Sequence, residues 1–255
     1  MNLHREIRGA GPDVALLHGW GMHGGIWHTA ADDLAAGGFR VHALDLPGHG
    51  RSPWAKGVEE LDGLARRVAE HLPHECRLVG WSLGGQVAIR IATLFPARVT
   101  KLVLVATTPR FVAKRDWPHG MEPATLAGFA QHLAKDWRGT VQEFLGLQVR
   151  GDEKQIDTLR ELKRIVFQHG EPNGAALAAG LEILRTADLR DEAARVRAPT
   201  LVIGGLHDRL TPPGAGEALA RAIPGARWLA VPRAGHAPFL SHREAFRDAL
   251  LAFLA

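Results

Sequence analysis

The stretch that most constrains the fold is residues 78–85, Leu-Val-Gly-Trp-Ser-Leu-Gly-Gly. Its apolar first half predicts a buried strand, and a helical pattern over residues 86–94 follows directly. Ser82 stands between them, at the centre of Gly-x-Ser-x-Gly. A serine on a sharp strand-to-helix turn stands clear of the sheet, and the backbone N–H after it faces the same space. The stretch therefore predicts that Ser82 is a nucleophile and that Leu83 N–H is one donor of an oxyanion site.

Short apolar runs alternate with helical patterns along most of the chain. The predicted strands are residues 14–17, 41–45, 78–81, 101–106, 200–204 and 227–231. The predicted helices are residues 25–36, 58–72, 86–94, 214–222 and 241–254. Strands that alternate with helices indicate a parallel sheet covered on both faces, with ligands bound at the carboxyl ends of the strands. We therefore predict an α/β fold, a doubly wound and mostly parallel sheet.

The alternation stops after residue 109. Residues 110–186 contain helical patterns separated by proline and glycine, with no clear buried strand. The strand–helix alternation resumes near residue 199. We predict that residues 1–109 and 187–255 form one core and that residues 110–186 are a helical cap inserted in it.

Composition excludes several classes of function. The 255 residues carry a net charge of only +4 and no run of five or more Lys or Arg, so we expect no nucleic-acid partner. No run of 18 apolar residues occurs, and the N-terminus lacks the apolar segment of a secretory signal, so we expect no membrane partner. The single cysteine, Cys76, excludes an internal disulfide and fits a reducing compartment. We expect a cytoplasmic monomer.

A serine nucleophile needs a base that an acid orients. Of the fourteen histidines, His236 lies in a small-residue loop directly after a predicted strand. Asp208 follows the preceding predicted strand, and the order serine, acid, histidine is the one expected after a Gly-x-Ser-x-Gly turn. Asp188 also lies between Ser82 and His236, but no predicted strand precedes it. We therefore predict Asp208 as the acid and keep Asp188 as the alternative.

The second oxyanion donor should come from the loop after the first predicted strand, His18-Gly19-Trp20. We predict that this donor is the backbone N–H of Trp20 and that His18 is a hydrogen-bonded structural residue. The sequence has no metal-binding His-x-x-x-His motif with a glutamate and no Gly-x-Gly-x-x-Gly that opens a helix. We expect neither a metal nor any other cofactor.

These motifs, together with Asp-Leu-Pro-Gly-His-Gly-Arg-Ser at residues 45–52, resemble the α/β-hydrolase superfamily over nearly the whole chain. A closer resemblance, to the pimeloyl-acyl-carrier-protein methyl ester esterase family of biotin synthesis, extends into the cap. Its motifs are residues 17–21 (Leu-His-Gly-Trp-Gly), 80–85, 115–118 (Arg-Asp-Trp-Pro), 126–129 (Leu-Ala-Gly-Phe), 144–148 (Phe-Leu-Gly-Leu-Gln), 180–184 (Gly-Leu-Glu-Ile-Leu), 188–190 (Asp-Leu-Arg) and 235–239 (Gly-His-Ala-Pro-Phe).

The resemblance implies removal of the methyl group from a pimeloyl ester held on an acyl-carrier protein, with Ser82, Asp208 and His236 as the triad. It also implies a set of substrate-binding residues, which are Trp20, Ser82, Leu83, Phe144, Leu145, Gly146, Leu147, Gln148 and His236. Basic cap residues are expected to dock the acidic carrier. The predicted basic face (Arg160, Lys163 and Arg164) lies close to Glu153 and Asp157, so either a docking surface or a salt-bridged surface fits.

Two alternatives to this function stay open. The chain could be a general short-chain carboxylesterase with a similar cap, or a hydrolase-fold protein that binds a ligand with little turnover. A haloalkane dehalogenase is excluded, because that class carries aspartate where this chain has Ser82.

Overall fold

The computed structural model describes residues 2–255. Its seven-stranded sheet has the order β1-β3-β2-β4-β5-β6-β7. Strand β1 pairs with β3 antiparallel, and every other neighbouring pair is parallel. The strands are β1 (Arg5–Arg8), β2 (Asp13–Leu17), β3 (Arg40–Leu44), β4 (Cys76–Trp81), β5 (Val99–Val105), β6 (Thr200–Gly205) and β7 (Arg227–Val231). The predicted α/β class with a mostly parallel sheet is confirmed.

The helices of the core fall into two groups, as expected for a sheet covered on both faces. Helix α1 packs against α11, whereas α2 packs against α3, and α8 contacts both α3 and α9. The helices are α1 (His28–Ala36), α2 (Leu61–Ala69), α3 (Leu83–Leu94), α4 (Pro123–Leu133), α5 (Trp137–Val149), α6 (Gln155–Val166), α7 (Gly174–Thr186), α8 (Arg190–Ala193), α9 (Pro213–Ala222), α10 (Pro238–Ser241) and α11 (Arg243–Leu254).

Six of the seven strands match predicted strands within a few residues, and β1 was not predicted. Its sequence, Arg-Glu-Ile-Arg, is almost entirely charged, and its one apolar side chain, Ile7, is exposed. Strand β1 lies at the sheet edge and its four side chains are all at least partly exposed, so neither face has to be apolar, and charged side chains there oppose pairing with another molecule. Hydrophobic periodicity therefore cannot detect this strand.

An aromatic cluster packs next to the carboxyl end of β4. Trp81 meets Phe239 at a ring-centroid distance of 5.1 Å, and Phe239 stacks on Trp27 at 4.4 Å. All three side chains are buried. Large buried aromatic residues contribute strongly to the hydrophobic core. The turn that follows β4 therefore lies next to a tightly packed cluster of large buried side chains.

Helices α4 to α7 all lie between β5 and β6 in the chain. They pack on one another, α4 with α5 and α7, and α5 with α6. Within residues 110–186, extended pairing is limited to two isolated bridges, Val112 with Met121 and Lys114 with Trp117. Residues 110–186 are therefore mainly helical, and their role as an inserted cap stays a prediction.

No helix within residues 2–255 combines the length and apolar character needed to cross a membrane.

Candidate active site

Ser82 occupies a strained turn between β4 and α3. Its φ of 55° and ψ of −119° lie outside the regions that side chains favour. The flanking glycines are required by close backbone approach, because a Cβ at Gly80 would lie 2.3 Å from Gly84 O, and one at Gly84 would lie 2.5 Å from His18 O. Thr107 Oγ1 donates to Ser82 O at 2.7 Å and helps to hold the turn. The sequence pattern thus forms the predicted strand–turn–helix.

Asp208 and His236 form a buried pair. With Nδ1 protonated, His236 donates to Asp208 Oδ2 at 2.7 Å, and both side chains are fully buried. Asp208 Oδ1 accepts from the backbone N–H groups of Leu210 (2.8 Å) and Thr211 (3.0 Å), and Thr211 Oγ1 donates to Oδ2 at 2.6 Å. These donors offset the cost of burying the carboxylate and fix its orientation. The arrangement leaves Nε2 of His236 free to act as a base.

Asp188 has different partners. It accepts hydrogen bonds from Arg110 (2.9 Å) and Arg190 (2.8 Å) and contacts no histidine within the described chain. The hydrogen bonds from Arg190, with those from Arg110, hold the pKa of Asp188 at about 2. Asp188 therefore belongs to a charged cluster away from His236, and the geometry favours Asp208 as the acid.

His236 lies directly beside the Ser82 turn. The Trp81 ring meets the His236 ring at 5.6 Å, and Trp81 Nε1 donates to His236 O at 2.8 Å. Ser82 Oγ and His236 Nε2 are both sealed from solvent, and neither has a hydrogen-bond partner among residues 2–255. Unsatisfied buried polar atoms are rare and call for an explanation. These two are the atoms through which a serine and a histidine would act on a substrate.

Two backbone donors accompany them. No oxygen of the described residues accepts from the backbone N–H of Trp20 or of Leu83, although both residues are buried. Leu83 is the first residue of α3, where N–H groups lack partners inside the helix. The Trp20 loop passes close to the serine, since a Cβ at Gly19 would lie 3.2 Å from Ser82 Cβ. Both donors predicted for an oxyanion site are thus unpaired in the structure.

Comparison with known proteins decides the family. The model of the alpha/beta hydrolase fold matches residues 12–243. A pimeloyl-[acyl-carrier protein] methyl ester esterase from Nitrosomonas europaea is 46% identical over 245 residues, 96% of each chain. One from Chromobacterium violaceum is 44% identical over 254 residues, covering 100% of this chain and 98% of the relative. The chain belongs to the pimeloyl-[acyl-carrier protein] methyl ester esterase family. The resemblance inferred from the motifs is confirmed.

The fold of this α/β hydrolase also matches solved structures. An esterase from Exiguobacterium antarcticum superimposes with a TM-score of 0.88, at 22% identity, over 99% of this chain and 95% of the other. At that identity the likeness shows the fold alone.

The predicted acyl-binding residues of this family member lie on the last turns of α5 and do not share one environment. Phe144 is buried and packs edge-on against Trp20, with ring centroids 4.8 Å apart. Leu145 and Gln148 are buried as well, and Gln148 Oε1 has no hydrogen-bond partner in the part of the chain that the structure describes. Leu147, in contrast, is partly exposed and lines an outer groove with Arg150 and Arg209.

Gly146, which the resemblance also assigns to substrate binding, does not share the buried environment of Phe144 and Gln148. It is partly exposed, and a Cβ there would meet no atom within 4 Å. The reason is helical geometry: residues two apart point to opposite sides of a helix, so the side that carries Phe144 and Gln148 cannot also carry Gly146. A bulky side chain at 146 would extend into open space, and we expect no steric block there.

Several histidines near the site are structural. His18 Nδ1 donates to Gly19 O at 2.8 Å, and its Nε2 accepts from Leu46 N–H at 2.9 Å, as predicted for a structural residue. Burial, with the nearby His49, lowers the pKa of His18 well below its ordinary value. Burial also lowers the pKa of His49 to about 4. Both rings are therefore neutral near pH 7.

The predicted basic face is largely paired within α6. Arg160 binds Asp157 at 3.0 Å, and Arg164 binds Glu161 at 2.7 Å. These partners leave Lys163 as the member without an ion pair in the described chain. Two of the three residues of the predicted basic face therefore belong to a salt-bridged surface.

Two residues of the site were not found from the sequence. Thr211 holds Asp208, and Asp152 Oδ2 accepts from the backbone N–H of Gly235, beside His236, at 2.7 Å. Their residue types are common in turns, so no motif distinguishes them. Only the folded chain brings residue 152 to residue 235.

Proposed function

We propose that this chain hydrolyses the methyl ester of pimeloyl-acyl-carrier protein to the free carboxylate and methanol, with Ser82 as nucleophile, His236 as base and Asp208 as the orienting acid. The carrying observation is the buried Asp208–His236 hydrogen bond of 2.7 Å beside a strained Ser82 whose Oγ is unpaired. The choice of substrate is supported by the family, since relatives named as esterases of this substrate match over nearly their full length.

The first step forms an acyl-enzyme. Ser82 Oγ attacks the ester carbonyl carbon while His236 Nε2 takes its proton. Asp208 stabilises the resulting imidazolium through Nδ1. Backbone N–H groups of Trp20 and Leu83 donate to the oxyanion, and one such donor is worth on the order of 10²–10³ in kcat. The intermediate collapses, the bond to the methoxy oxygen breaks, and His236 gives its proton to the departing methanol.

The second step regenerates the enzyme. His236 Nε2 takes a proton from water, and the hydroxide attacks the acyl carbonyl carbon. The same two N–H groups stabilise the second oxyanion. Collapse breaks the bond to Ser82 Oγ, which recovers its proton from His236, and the acid leaves as a carboxylate. No cofactor is needed for either step.

Residues 110–186, which contain helices α4 to α7, act as a cap over this site. Trp20, Phe144 and Gln148 contact the aliphatic chain of the substrate, together with Leu145. Because Ser82 Oγ and His236 Nε2 are sealed from solvent, the substrate enters only when the covering helices move. Closure around an apolar chain then excludes water during the chemistry.

The macromolecular partner is the acyl-carrier protein, which docks on basic residues of the cap, and the reaction takes place in the cytoplasm. A reducing compartment fits Cys76, a free buried thiol whose pKa burial raises to about 12. The protein acts as a monomer. Within residues 2–255 the exposed large apolar side chains are Ile7 on β1, Ile156 on α6 and Leu206 just after β6, and so few exposed apolar residues support this part of the proposal.

The decisive experiment supplies pimeloyl-acyl-carrier-protein methyl ester to the purified wild-type protein and to Ser82→Ala. We expect the wild type to release methanol and free carboxylate catalytically, and Ser82→Ala to lose activity by several orders of magnitude. A strain that lacks its pimeloyl ester esterase should regain growth without biotin when it expresses the wild type and not when it expresses Ser82→Ala.

The two other functions give different results. A general carboxylesterase would hydrolyse p-nitrophenyl acetate and leave the carrier-bound ester untouched. A binding protein would release one equivalent of product and then stop. Activity that survives Ser82→Ala would contradict the proposed nucleophile.

A further inference from the structure

Residues 148–153, which run from the last turn of α5 to the turn before α6 in the cap, contact the loop that carries His236 at several backbone groups. We call these residues the clamp segment. Gln148 O accepts from His236 N–H at 2.9 Å, and Glu153 N–H donates to Arg233 O at 3.0 Å. Between these two bonds, Asp152 Oδ2 accepts from Gly235 N–H at 2.7 Å. The backbone on the N-terminal side of the catalytic imidazole is thus held by the cap.

The clamp segment also reaches the loop of the proposed acid. His207, next to Asp208, donates from Nδ1 to Gly151 O at 2.6 Å. His207 N–H in turn donates to Ala234 O at 2.9 Å, which ties the acid loop to the histidine loop. The loops of Asp208 and His236 therefore share one anchor, and that anchor belongs to the cap rather than to the sheet.

Asp152 has the most specific contact in the clamp segment. It is 5% exposed, and each carboxylate oxygen has its own donor: Oδ1 accepts from Lys154 N–H at 2.8 Å, and Oδ2 accepts from Gly235 N–H. The first bond closes a local turn before α6. The second bond joins two residues that are 83 positions apart in the chain, and it does not stabilise that turn. Short bonds from N–H to a carboxylate are among the stronger hydrogen bonds in proteins.

Gly235 packs tightly against the clamp segment. A Cβ at this residue would lie 2.8 Å from Gln148 O and 3.2 Å from Asp152 Cβ. On the other side of the histidine, Trp81 Nε1 holds His236 O at 2.8 Å. The His236 backbone is therefore fixed between the cap on one side and the Ser82 turn on the other.

From these contacts we propose that Asp152 is a positioning residue for His236. It acts through the N–H of Gly235, so that contacts with the cap fix the orientation of the catalytic imidazole. The inference rests on the proposed triad. A displaced imidazole loses its alignment with Ser82 Oγ, and a misplacement of about 1 Å can cost on the order of 100-fold in rate. Substrate binding is untouched, because Asp152 contacts the loop backbone and none of the acyl-binding side chains.

The test compares Asp152→Ser with Asp152→Asn on p-nitrophenyl acetate. A serine hydroxyl can still accept from Lys154 N–H and close the turn, but it is too short to reach Gly235. An asparagine has one oxygen for the two donors, so one of the two hydrogen bonds is lost and kcat should fall below that of the wild type. We expect Asp152→Ser to lower kcat about tenfold and to leave KM within about twofold, since alignment and not binding is lost. Asp157→Ser, on the exposed side of α6, is the matched control and should behave as the wild type.

Each outcome has a definite meaning. Wild-type kcat in Asp152→Ser would overturn the proposal and leave Asp152 as a turn residue only. A raised KM with unchanged kcat would also overturn it, by assigning Asp152 to binding. Circular dichroism melting of each variant shows whether it is folded at the assay temperature, and if Asp152→Ser is not, Asp152→Asn decides between the same outcomes. Ser82→Ala is measured in parallel: if it keeps its activity, the triad proposal fails instead.

Discussion

Replacing Asp208 with asparagine should disable the enzyme through the tautomer of His236. The carboxylate serves two sets of donors, since Oδ1 takes Leu210 and Thr211 N–H and Oδ2 takes His236 Nδ1–H. An amide has only one oxygen. If that oxygen faces the backbone, its NH₂ group faces Nδ1, which must then give up its proton. The proton moves to Nε2, the atom that has to accept from Ser82.

In the opposite orientation, the amide oxygen accepts from Nδ1–H and preserves the productive tautomer. This orientation has a cost in free energy. The NH₂ group would then face the two backbone N–H groups, leaving two buried donors unsatisfied. Each unsatisfied donor costs about 1–3 kcal/mol, so the unproductive orientation is favoured by about 2–6 kcal/mol. At about 1.4 kcal/mol per factor of ten, the productive tautomer falls by about 30-fold to about 10⁴-fold. A loss near the upper end would equal the loss of about 10⁴ in kcat that this change causes in a Ser-His-Asp triad.

The assay is the initial rate of p-nitrophenyl acetate hydrolysis by the wild type, Asp208→Asn and Asp188→Asn, each confirmed as folded by circular dichroism. Asp188→Asn is the matched control, because Asp188 binds Arg110 and Arg190 and no histidine. We expect its rate to stay within about threefold of the wild type, as for an ion pair outside the reacting groups. A mild Asp208→Asn and a crippling Asp188→Asn would refute the acid assignment.

Three further predictions follow from distances and charges. Gly180→Ala should lower kcat, because its Cβ would lie 2.6 Å from Trp20 Cδ1 and push the indole beside the oxyanion donor; Gly128→Ala, whose Cβ meets nothing within 4 Å, should not. Stability measured by urea unfolding should be highest above pH 6.5 and fall toward pH 4, because His49 has a pKa of about 4 when folded and about 6.5 when unfolded, so the unfolded state binds the extra proton. His49 should account for about 3 kcal/mol of this loss, and His49→Asn should make the dependence shallower. Charge reversal of the three residues of the basic face should raise KM for the carrier-bound ester at low salt and leave the hydrolysis of small esters unchanged; equal KM values would remove this face as the docking surface.

Sequence patterns predicted those parts of the structure that depend on residues adjacent in the chain. The Ser82 turn could be recognised because its requirements, a buried strand, two glycines and a helix, are adjacent in the chain. The strands β2 to β7 could be found because both faces of the sheet are covered, so each strand contains several apolar residues close together. Strand β1 was missed because an edge strand with charged side chains carries no such signal. Helical spacing places Gly146 on the side of α5 opposite Phe144 and Gln148, but which side is buried depends on how α5 packs, and the run of residues 144–148 does not contain that information.

The residues that hold His236 illustrate what a sequence pattern leaves out. The order of Ser82, Asp208 and His236 along the chain, with each after a predicted strand, led to the prediction that they are the reacting groups. The orientation of these side chains, however, depends on contacts between segments far apart in the chain, such as Asp152 with Gly235 and Trp81 with His236. A lone aspartate after a helix has many ordinary roles, so residue type alone cannot select this one. If Asp152 positions the imidazole and the cap moves to admit substrate, both as proposed, then that movement also moves an anchor of the triad. Closure over the acyl chain would then restore the alignment of His236 with Ser82, and hydrolysis would be confined to the closed, substrate-filled enzyme.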